Sequence, residues 1–588
     1  MGTISDKLMR IINTKEDIRQ ALILKGYDVP TSIPFKEYAK MISDLPCKVD
    51  DFPKLPGDVI RWHFGGLTNE MMAAMDDPRI EDADGKGRFL SFKNFAWGGM
   101  SGVGGYEMNF NLWTNNVPSI PDISMSTTTT SVSVSVGNST YNNNLIYIHM
   151  NNWDINKNHW LKVTSTYEDG DLVFKFYNDN NSKNIELPAN GYVNIPAYPE
   201  FKGNYMYIST TSNKQGSFTI EQLPLYPGFI LGDGVDDFAV TEKELNFEDT
   251  YTVYTAFIPF QNNPTRNMIL CGADSKKTFS MQYSSLVYVS FIAGNNYYIN
   301  ADFVNGLNLF ACKRNGNNIC IKNLLTNKVV TGTCGDWVEN AGLYYLWKNA
   351  TYASFAKAAI AGQTICNGYF STDEDDEKVL NWYKKQYPWL FPDQAWTVVG
   401  KTNEDEDRAT IANITGNGND LVCLNLGFIE GSGYNEEGEY AGYLVTDGVD
   451  DKITSSTFEM GNDWTVIGDW ELINTGKNDN AGIVKFDSIV IYNYNPILIN
   501  IKNGRNNLIP DQNTVNAICS DGRIYSKDWK ESIYNEETES TSKNLLTIGY
   551  SGNSYTKIAF KNLAIYPTIL SKEDCIKAYN YLQTLKAK

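Results

Sequence analysis

Residues 233–237 read DGVDD, and residues 447–451 read DGVDD again. The residues after each copy also match. The first copy leads into FAVTEKELNFEDTYTVYTAFIPF, and the second into KITSSTFEMGNDWTVIGDWELI. Each is a short strand, a polar stretch and then a longer strand rich in aromatic and β-branched residues. Further on, 357–371 (KAAIAGQTICNGYFS) matches 557–571 (KIAFKNLAIYPTILS), with Lys357 opposite Lys557, Ala359 opposite Ala559, Ile365 opposite Ile565 and Ser371 opposite Ser571. A helix is predicted after each. Ser371–x–x–Glu374 and Ser571–x–x–Asp574 have the form of capping boxes, in which a hydroxyl and a carboxylate satisfy the free N–H groups of a first turn. Apolar residues come next at helical spacing: Val379, Leu380 and Tyr383 in one copy, Ile576, Tyr579 and Leu582 in the other.

The match extends upstream. Residues 68–106 run TNE…DADGKGRFLSFKNFAWGGMSGVGGY, and residues 402–434 run TNE…NITGNGNDLVCLNLGFIEGSGY. In the second copy Tyr434 comes shortly before Asp447. In the first, a long stretch separates Tyr106 from Asp233. The simplest account is an insertion near 110–225, β-rich by composition (TTTTSVSVSVG, DLVFKFYND, NYMYISTTS). Its ends must lie close together in space, as in tolerated domain insertions.

The totals agree with a modular β protein. A chain of 588 residues exceeds what one core serves, so roughly three to four domains are expected. The net charge is −19 and there is no Lys/Arg-rich run, which argues against nucleic acid or an anionic membrane surface as partner. No run of ~18 apolar residues is present to span a bilayer. The first residues, MGTISDKLMRIINTKED, lack an apolar core and a small-residue cleavage site, so a secretory leader is not expected. The nine cysteines include no CxxC pair and read as buried free thiols, with Cys312 and Cys320 the one pair placed to bridge a hairpin.

The stretch GNGND…DGVDDKI…DWTVIGDWEL…LLTIGYSGNSYTKIAFKNLAIYPTILSKEDCIKAYNYL resembles the laminin-G-like, concanavalin-A-type jelly-roll family. The resemblance covers 402–588 well. The first copy, 229–390, departs near its end, where NGYFSTDEDDEKVL lacks the proline. The resemblance implies two antiparallel sheets packed face to face. It leaves function open, because chains of this fold bind glycans, bind proteins or act as spacers.

The N-terminal segment is of another kind. Leu8, Ile11 and Ile12 form an apolar stripe; Thr14–x–x–Asp17 caps a helix holding Ile18 and Leu22; Pro34 opens a third carrying Phe35, Tyr38 and Ile42. So short a segment cannot cover these faces itself, so it is expected to dock on copies of itself or on a partner. NTKEDIRQALILKG…VPTSIPFKEYAKMI is similar to a helical element at the start of virion proteins of tailed phages, especially crAss-like phages of Bacteroidetes. That resemblance implies a virion fibre or host-adhesion protein, assembled in the host cytoplasm. Its partners would be other virion proteins through the N-terminus, sister chains (a trimer first, a dimer next) and host-surface glycans.

Retaining glycosidases hold two carboxyls ~5–5.5 Å apart, the spacing of alternate residues on one strand face. Asp469–x–Glu471 has that spacing, but Ile467 stands where a third acid would fall, and the first copy has Ala256 and Ile258 at the matching positions. These acids are read as solvent-facing strand charges, and no catalytic residue is assigned. DGVDD is read as a turn, since Asp-Gly reverses a chain and Asp side chains bond nearby N–H groups. As a calcium loop it offers two ligands (Asp236 and Asp237, or Asp450 and Asp451) where six to eight oxygens are needed. His63, His149 and His159 share no metal-ligand spacing. No metal and no cofactor are expected. Trp153, Trp160, Tyr297 and Tyr298, in Asn-rich surroundings, are the candidates for stacking on a glycan.

The expected architecture is mainly β: tandem laminin-G-like β-sandwich jelly rolls, an inserted β-domain and a small N-terminal helical anchor. The boundaries are 1–50 for the anchor, 51–228 for the opening of the first module plus the insert, 229–390 for the first sandwich and 396–588 for the second. The function implied is a non-enzymatic short fibre or decoration, on the head rather than the tail because no shaft sequence is present. A secreted adhesin is the alternative and a glycoside hydrolase the third reading.

Overall fold

The computed structural model describes most of residues 52–587; the longest segments outside the description are 1–51, 116–122, 138–147, 272–278, 474–481 and 534–543. Leu55–Lys588 is one compact unit and Met1–Lys54 another. The anchor residues Leu8, Ile11, Ile12, Ile18, Leu22, Phe35, Tyr38 and Ile42 lie outside the described residues.

The larger unit is mainly β, built from tandem jelly-roll sandwiches. Each sandwich has two eight-stranded antiparallel sheets, and their strand orders match throughout. In one sheet of the first sandwich the order is Lys328–Thr333, Asn318–Asn323, Asn308–Asn315, Thr250–Pro259, Lys357–Asn367, Tyr226–Asp233, Gly102–Gly104, with Asp58–His63 also on Lys357–Asn367. In the second, Glu531–Ile533, Arg523–Ser526, Val515–Cys519, Thr465–Leu472, Ile558–Tyr566, Tyr443–Val445 and Gly433–Asn435 stand in the same order, with Gln394–Thr397 also on Ile558–Tyr566. A register shift also recurs in place, at Ala256/Phe257 and at Asp469/Trp470.

The central strand Thr250–Pro259 is buried nearly from end to end. Tyr251, Val253 and Phe257 enter the core between the sheets. The alternate residues face a helix on the sheet's other side, so the strand carries an almost unbroken apolar run instead of a polar face. That helix is α2 (Asp373–Gln386); α1 is the short Asn69–Ala73, and α3 (Lys572–Thr584) closes the second sandwich.

The caps differ slightly from expectation. Ser571 caps α3 as predicted, accepting the Asp574 N–H at 3.1 Å. In the first copy the cap is Thr372, one residue later than predicted, and it forms a complete box with Asp375. Ser371 is drawn inward, its Oγ donating to Asp376 at 3.0 Å, so a buried carboxylate takes it from the capping role.

The insert leaves the first sandwich after Gly102–Gly104 and returns at Tyr226–Asp233, and these two strands pair. Its ends therefore meet, with the Leu225 N–H donating to the Gly105 carbonyl at 3.0 Å. It is itself a sandwich of two five-stranded sheets around its own core, which includes Phe110, Trp113, Leu161, Phe174 and Ile220.

Ring packing and hydrogen bonds join the modules. Trp160 of the insert packs on Trp529 and Tyr579 of the second sandwich, centroids 6.0 and 5.3 Å apart. The Tyr581 hydroxyl accepts the Leu307 N–H at 2.8 Å, and its ring lies 5.9 Å from Trp389. Both Tyr579 and Tyr581 belong to α3, which thus touches all three sandwiches.

Candidate functional site

At one rim each sandwich builds the same set of side chains around its DGVDD. In the first copy the Asp233 Oδ1 accepts the Val235 N–H at 2.7 Å, and the Asp237 Oδ2 accepts the Asp233 N–H at 2.9 Å. In the second, the Asp447 Oδ1 accepts the Val449 N–H at 2.7 Å, and the Asp451 Oδ2 accepts the Asp447 N–H, also at 2.7 Å. Gly234 and Gly448 sit at φ +80° and +79°. A Cβ at either would fall 2.9 Å from an atom of Lys357 or Lys557, so glycine is required twice over. DGVDD is a turn, as read from the sequence.

A second loop braces it. Asn94 and Asn425 donate to the carbonyls of Asp236 and Asp450, at 3.1 and 3.0 Å. The Ser101 and Ser432 hydroxyls each accept a backbone N–H at 2.8 Å, from Ala96 and Gly427. Ser432 also donates to the Asp451 Oδ2 at 2.7 Å. Behind them, Asn69 and Asn403 make two bonds each to the backbone of Val103 and Tyr434. Sequence reasoning alone does not single out these asparagines and serines. Their signal is present all the same, since they occupy matched places in TNE and in N…SG of the two copies.

The result is a rigid rim that presents an apolar tip. Val235 is 69% exposed and Val449 72%. Beneath each tip, Asp237 and Asp451 are buried, each with its Oδ1 lacking a hydrogen-bond partner. Burial pushes Asp237 up to about 7 and raises Asp451 as well. The three carboxylates of each turn offer one oxygen apiece within 4.8 Å of one another. A proton on the buried carboxyl suffices to neutralise it. A calcium ion would need at least six oxygens, and Asp233 and Asp447 each already commit their Oδ1 to backbone N–H groups.

Of the two strand acids, Asp469 is sequestered. Asp469 is not solvent-facing, as its place on a strand suggested. It is buried under α3, where its Oδ1 accepts the Tyr443 hydroxyl at 3.1 Å and its Oδ2 accepts Gln583 at 3.0 Å. The physical reason is the helix on the outer sheet face. Glu471 is half-buried on the same strand.

Two glycan candidates are also corrected. Trp153 lies in the insert's core against His159 and Phe174, and Trp160 is buried at the junction with the second sandwich. Neither offers a free ring face. Tyr297 and Tyr298 lie on the sheet-edge strand Asn295–Ala301, and their side chains are outside the described residues. His63 bonds the Tyr387 hydroxyl at 3.0 Å and His159 the Asp154 carbonyl at 2.7 Å, far from any shared site. Cys312 pairs with Ile321 and Cys320 with Lys313 in neighbouring strands, so their side chains point to opposite faces and no bridge can form.

Where the sandwiches meet there is a cavity of about 120 Å³, walled by Leu307, Leu380, Leu390, Ile414 and Leu585, with Lys384 and Asp393 as its charged residues. Among the described residues no helix is long and apolar enough to cross a membrane.

Comparison of the sequence with protein families and with curated proteins gives no match. Among solved structures the chain is similar to the receptor binding domain of botulinum neurotoxin mosaic serotype C/D, with 10% identity and a TM-score of 0.26, over 59% of this chain and 90% of that one. The botulinum neurotoxin serotype D binding domain gives the same four values. The exoplasmic/lumenal domain of VIP36, in a Ca2+/Man3GlcNAc-bound form, gives 9% identity and a TM-score of 0.20 over 26% of this chain and 83% of that one. Likenesses this loose carry no argument about function.

Proposed function

We propose that this chain is a non-enzymatic structural protein of a tailed-phage virion, a short fibre or surface decoration whose sandwiches meet the host surface. One observation carries the adhesive part: the same braced turn is built twice, each time with an exposed valine at its tip. A rigid loop loses little conformational entropy on contact, and two copies on one chain make a second contact effectively intramolecular. The virion part rests on the resemblance of residues 5–45 to the helical element of phage structural proteins. Sister chains joined through that segment, as a trimer or a dimer, would multiply the contacts again. The glycosidase alternative loses ground because Asp469 is bonded beneath α3.

The test is immunogold labelling of intact phage with an antibody to the second sandwich, beside binding of purified protein to host cells. Label on the capsid and saturable cell binding are expected. Protein found in bacterial medium but never on particles would replace the virion reading with that of a secreted adhesin.

A further inference from the structure

The closing helix is fastened to the sheet at one equivalent point in each sandwich, but by different chemistry. In the first, the Thr252 Oγ1 accepts the Ser371 N–H at 2.9 Å, and Thr252 pairs with Lys313 across strands. Asp376, five residues after Ser371, takes the Lys313 Nζ on its Oδ2 at 2.7 Å. In the second, the Thr465 Oγ1 accepts the Leu570 N–H at 3.0 Å, and Thr465 pairs with Cys519. Five residues after Leu570 stands Cys575. Two thiols thus occupy the place of a buried ion pair.

Both cysteines are fully buried. The Cys519 Sγ lies 3.7 Å from the Thr465 Oγ1, and the Cys575 Sγ lies 4.0 Å from the Leu570 carbonyl oxygen. The Arg523 Nη2 donates to that same carbonyl at 3.3 Å, and the Arg523 side chain is 26% exposed. The edge of the thiol pair that touches water is therefore an ion pair, since the Arg523 Nε also donates to the Asp521 Oδ2 at 2.7 Å. Sharing a proton with Cys575 holds Cys519 below the usual thiol range and pushes Cys575 up. Burial pushes up Cys312, Cys366 and Cys423, which line no such pair. The deprotonated form of a thiol is the one that small oxidants attack.

We propose that Cys519 and Cys575 are a peroxide-oxidised dithiol, converted to a disulfide that latches α3 to its sheet. The Cys519 thiolate attacks one peroxide oxygen, the O–O bond breaks, and hydroxide leaves and takes up the proton that Cys519 gave up, forming water, so Cys519 becomes a sulfenic acid. The Cys575 sulfur then attacks the Cys519 sulfur and the S–O bond breaks. The second hydroxide takes the Cys575 proton as water. Two thiols and one hydrogen peroxide give one disulfide and two waters. Because α3 carries Tyr579 and Tyr581, the latch also holds the contacts to the insert and to the first sandwich.

The test uses full-length protein, reduced, treated with hydrogen peroxide, alkylated under denaturing conditions and mapped by mass spectrometry. One cross-linked peptide pair joining Cys519 to Cys575 is expected, with Cys312, Cys366 and Cys423 still alkylated. The melting temperature should rise by about 5–10 °C and fall back on reduction. Cys519→Ser and Cys575→Ser should each abolish the rise. Both thiols alkylated after peroxide, sulfinic acid at Cys519 beside a free Cys575, or a rise that survives Cys575→Ser would overturn the proposal. If neither variant folds, the peptide map of the unaltered protein decides.

Discussion

Asn403 grips the backbone of Tyr434 from both sides: its Oδ1 accepts the Tyr434 N–H, and its Nδ2 donates to the Tyr434 carbonyl, both at 2.8 Å. A side-chain amide here completes a strand end as a neighbouring strand would. Gly433 must be glycine to allow it, since a Cβ there would lie 2.5 Å from the Asn403 Oδ1. Asn403→Ala removes this side chain's bonds to both the N–H and the carbonyl of a buried residue. A loss of about 2–4 kcal/mol is expected, read as a lower urea midpoint. Asn403→Asp keeps the acceptor and should lose roughly half as much. An alanine variant as stable as the parent would show that water replaces the amide.

Lys313 and Asp376 form an ion pair with side chains 4% and 2% exposed. Asp376 also accepts the Tyr254 hydroxyl at 2.9 Å. Removing Asp376 strands Lys313 without solvent, and removing Lys313 leaves Asp376 with Lys322, at 3.2 Å, as its one remaining cation among the described residues. Lys313→Met alone is therefore expected to cost about 3–5 kcal/mol, and pairing it with Asp376→Leu should restore most of that. Denaturant unfolding of the three variants measures the coupling. Additive losses would mean that the two residues act independently.

Asp237 makes stability depend on pH. Its folded value stands near 7 against an ordinary 3.8, because burial opposes its charge and Asp233 and Asp236 add to that. The folded state binds this proton more tightly than the unfolded chain does. Its contribution is complete below about 3.8 and is lost as pH rises to about 7. The fall should be of the order of 2–4 kcal/mol for the first sandwich. Asp237→Asn, which mimics the protonated carboxyl, should flatten the profile between pH 4 and 7. An unchanged slope in that variant would assign the effect elsewhere.

Much of the fold was legible because the chain writes it twice. Lys357 matches Lys557 in sequence, and each packs against the glycine of its own DGVDD in space. The insert showed itself as an interruption of that repeat. What stayed hidden depends on layers. Asp469 reads as a surface acid along its strand, because nothing in DWELI reveals that Gln583, more than a hundred residues later, will cover it. Trp160 reads as an exposed aromatic for the same reason, since its partners Trp529 and Tyr579 belong to another module. The cap at Thr372 was missed by one residue because Ser371 and Thr372 are both hydroxyl residues, and only the buried Asp376 decides between them.

The N-terminal anchor yields the last prediction. Residues 5–45 carry apolar stripes (Leu8, Ile11, Ile12; Ile18, Leu22; Phe35, Tyr38, Ile42) with too little chain to cover them. Burying one such side chain contributes roughly 1.5–3 kcal/mol, so several together support a lasting interface with a virion protein or with sister chains. Leu55–Lys588 forms a compact unit with cores of its own, so a chain beginning near residue 51 should fold and unfold as the full-length protein does. It should sediment as a monomer and be missing from particles when supplied in place of the full chain. Restoring residues 1–50 should restore both oligomer and incorporation. Changing Leu22 and Phe35 together to Asp should mimic the truncation without altering the melting of the sandwiches. Equal incorporation of the shortened chain would remove residues 5–45 from the anchoring role and place the virion contact on the sandwiches themselves.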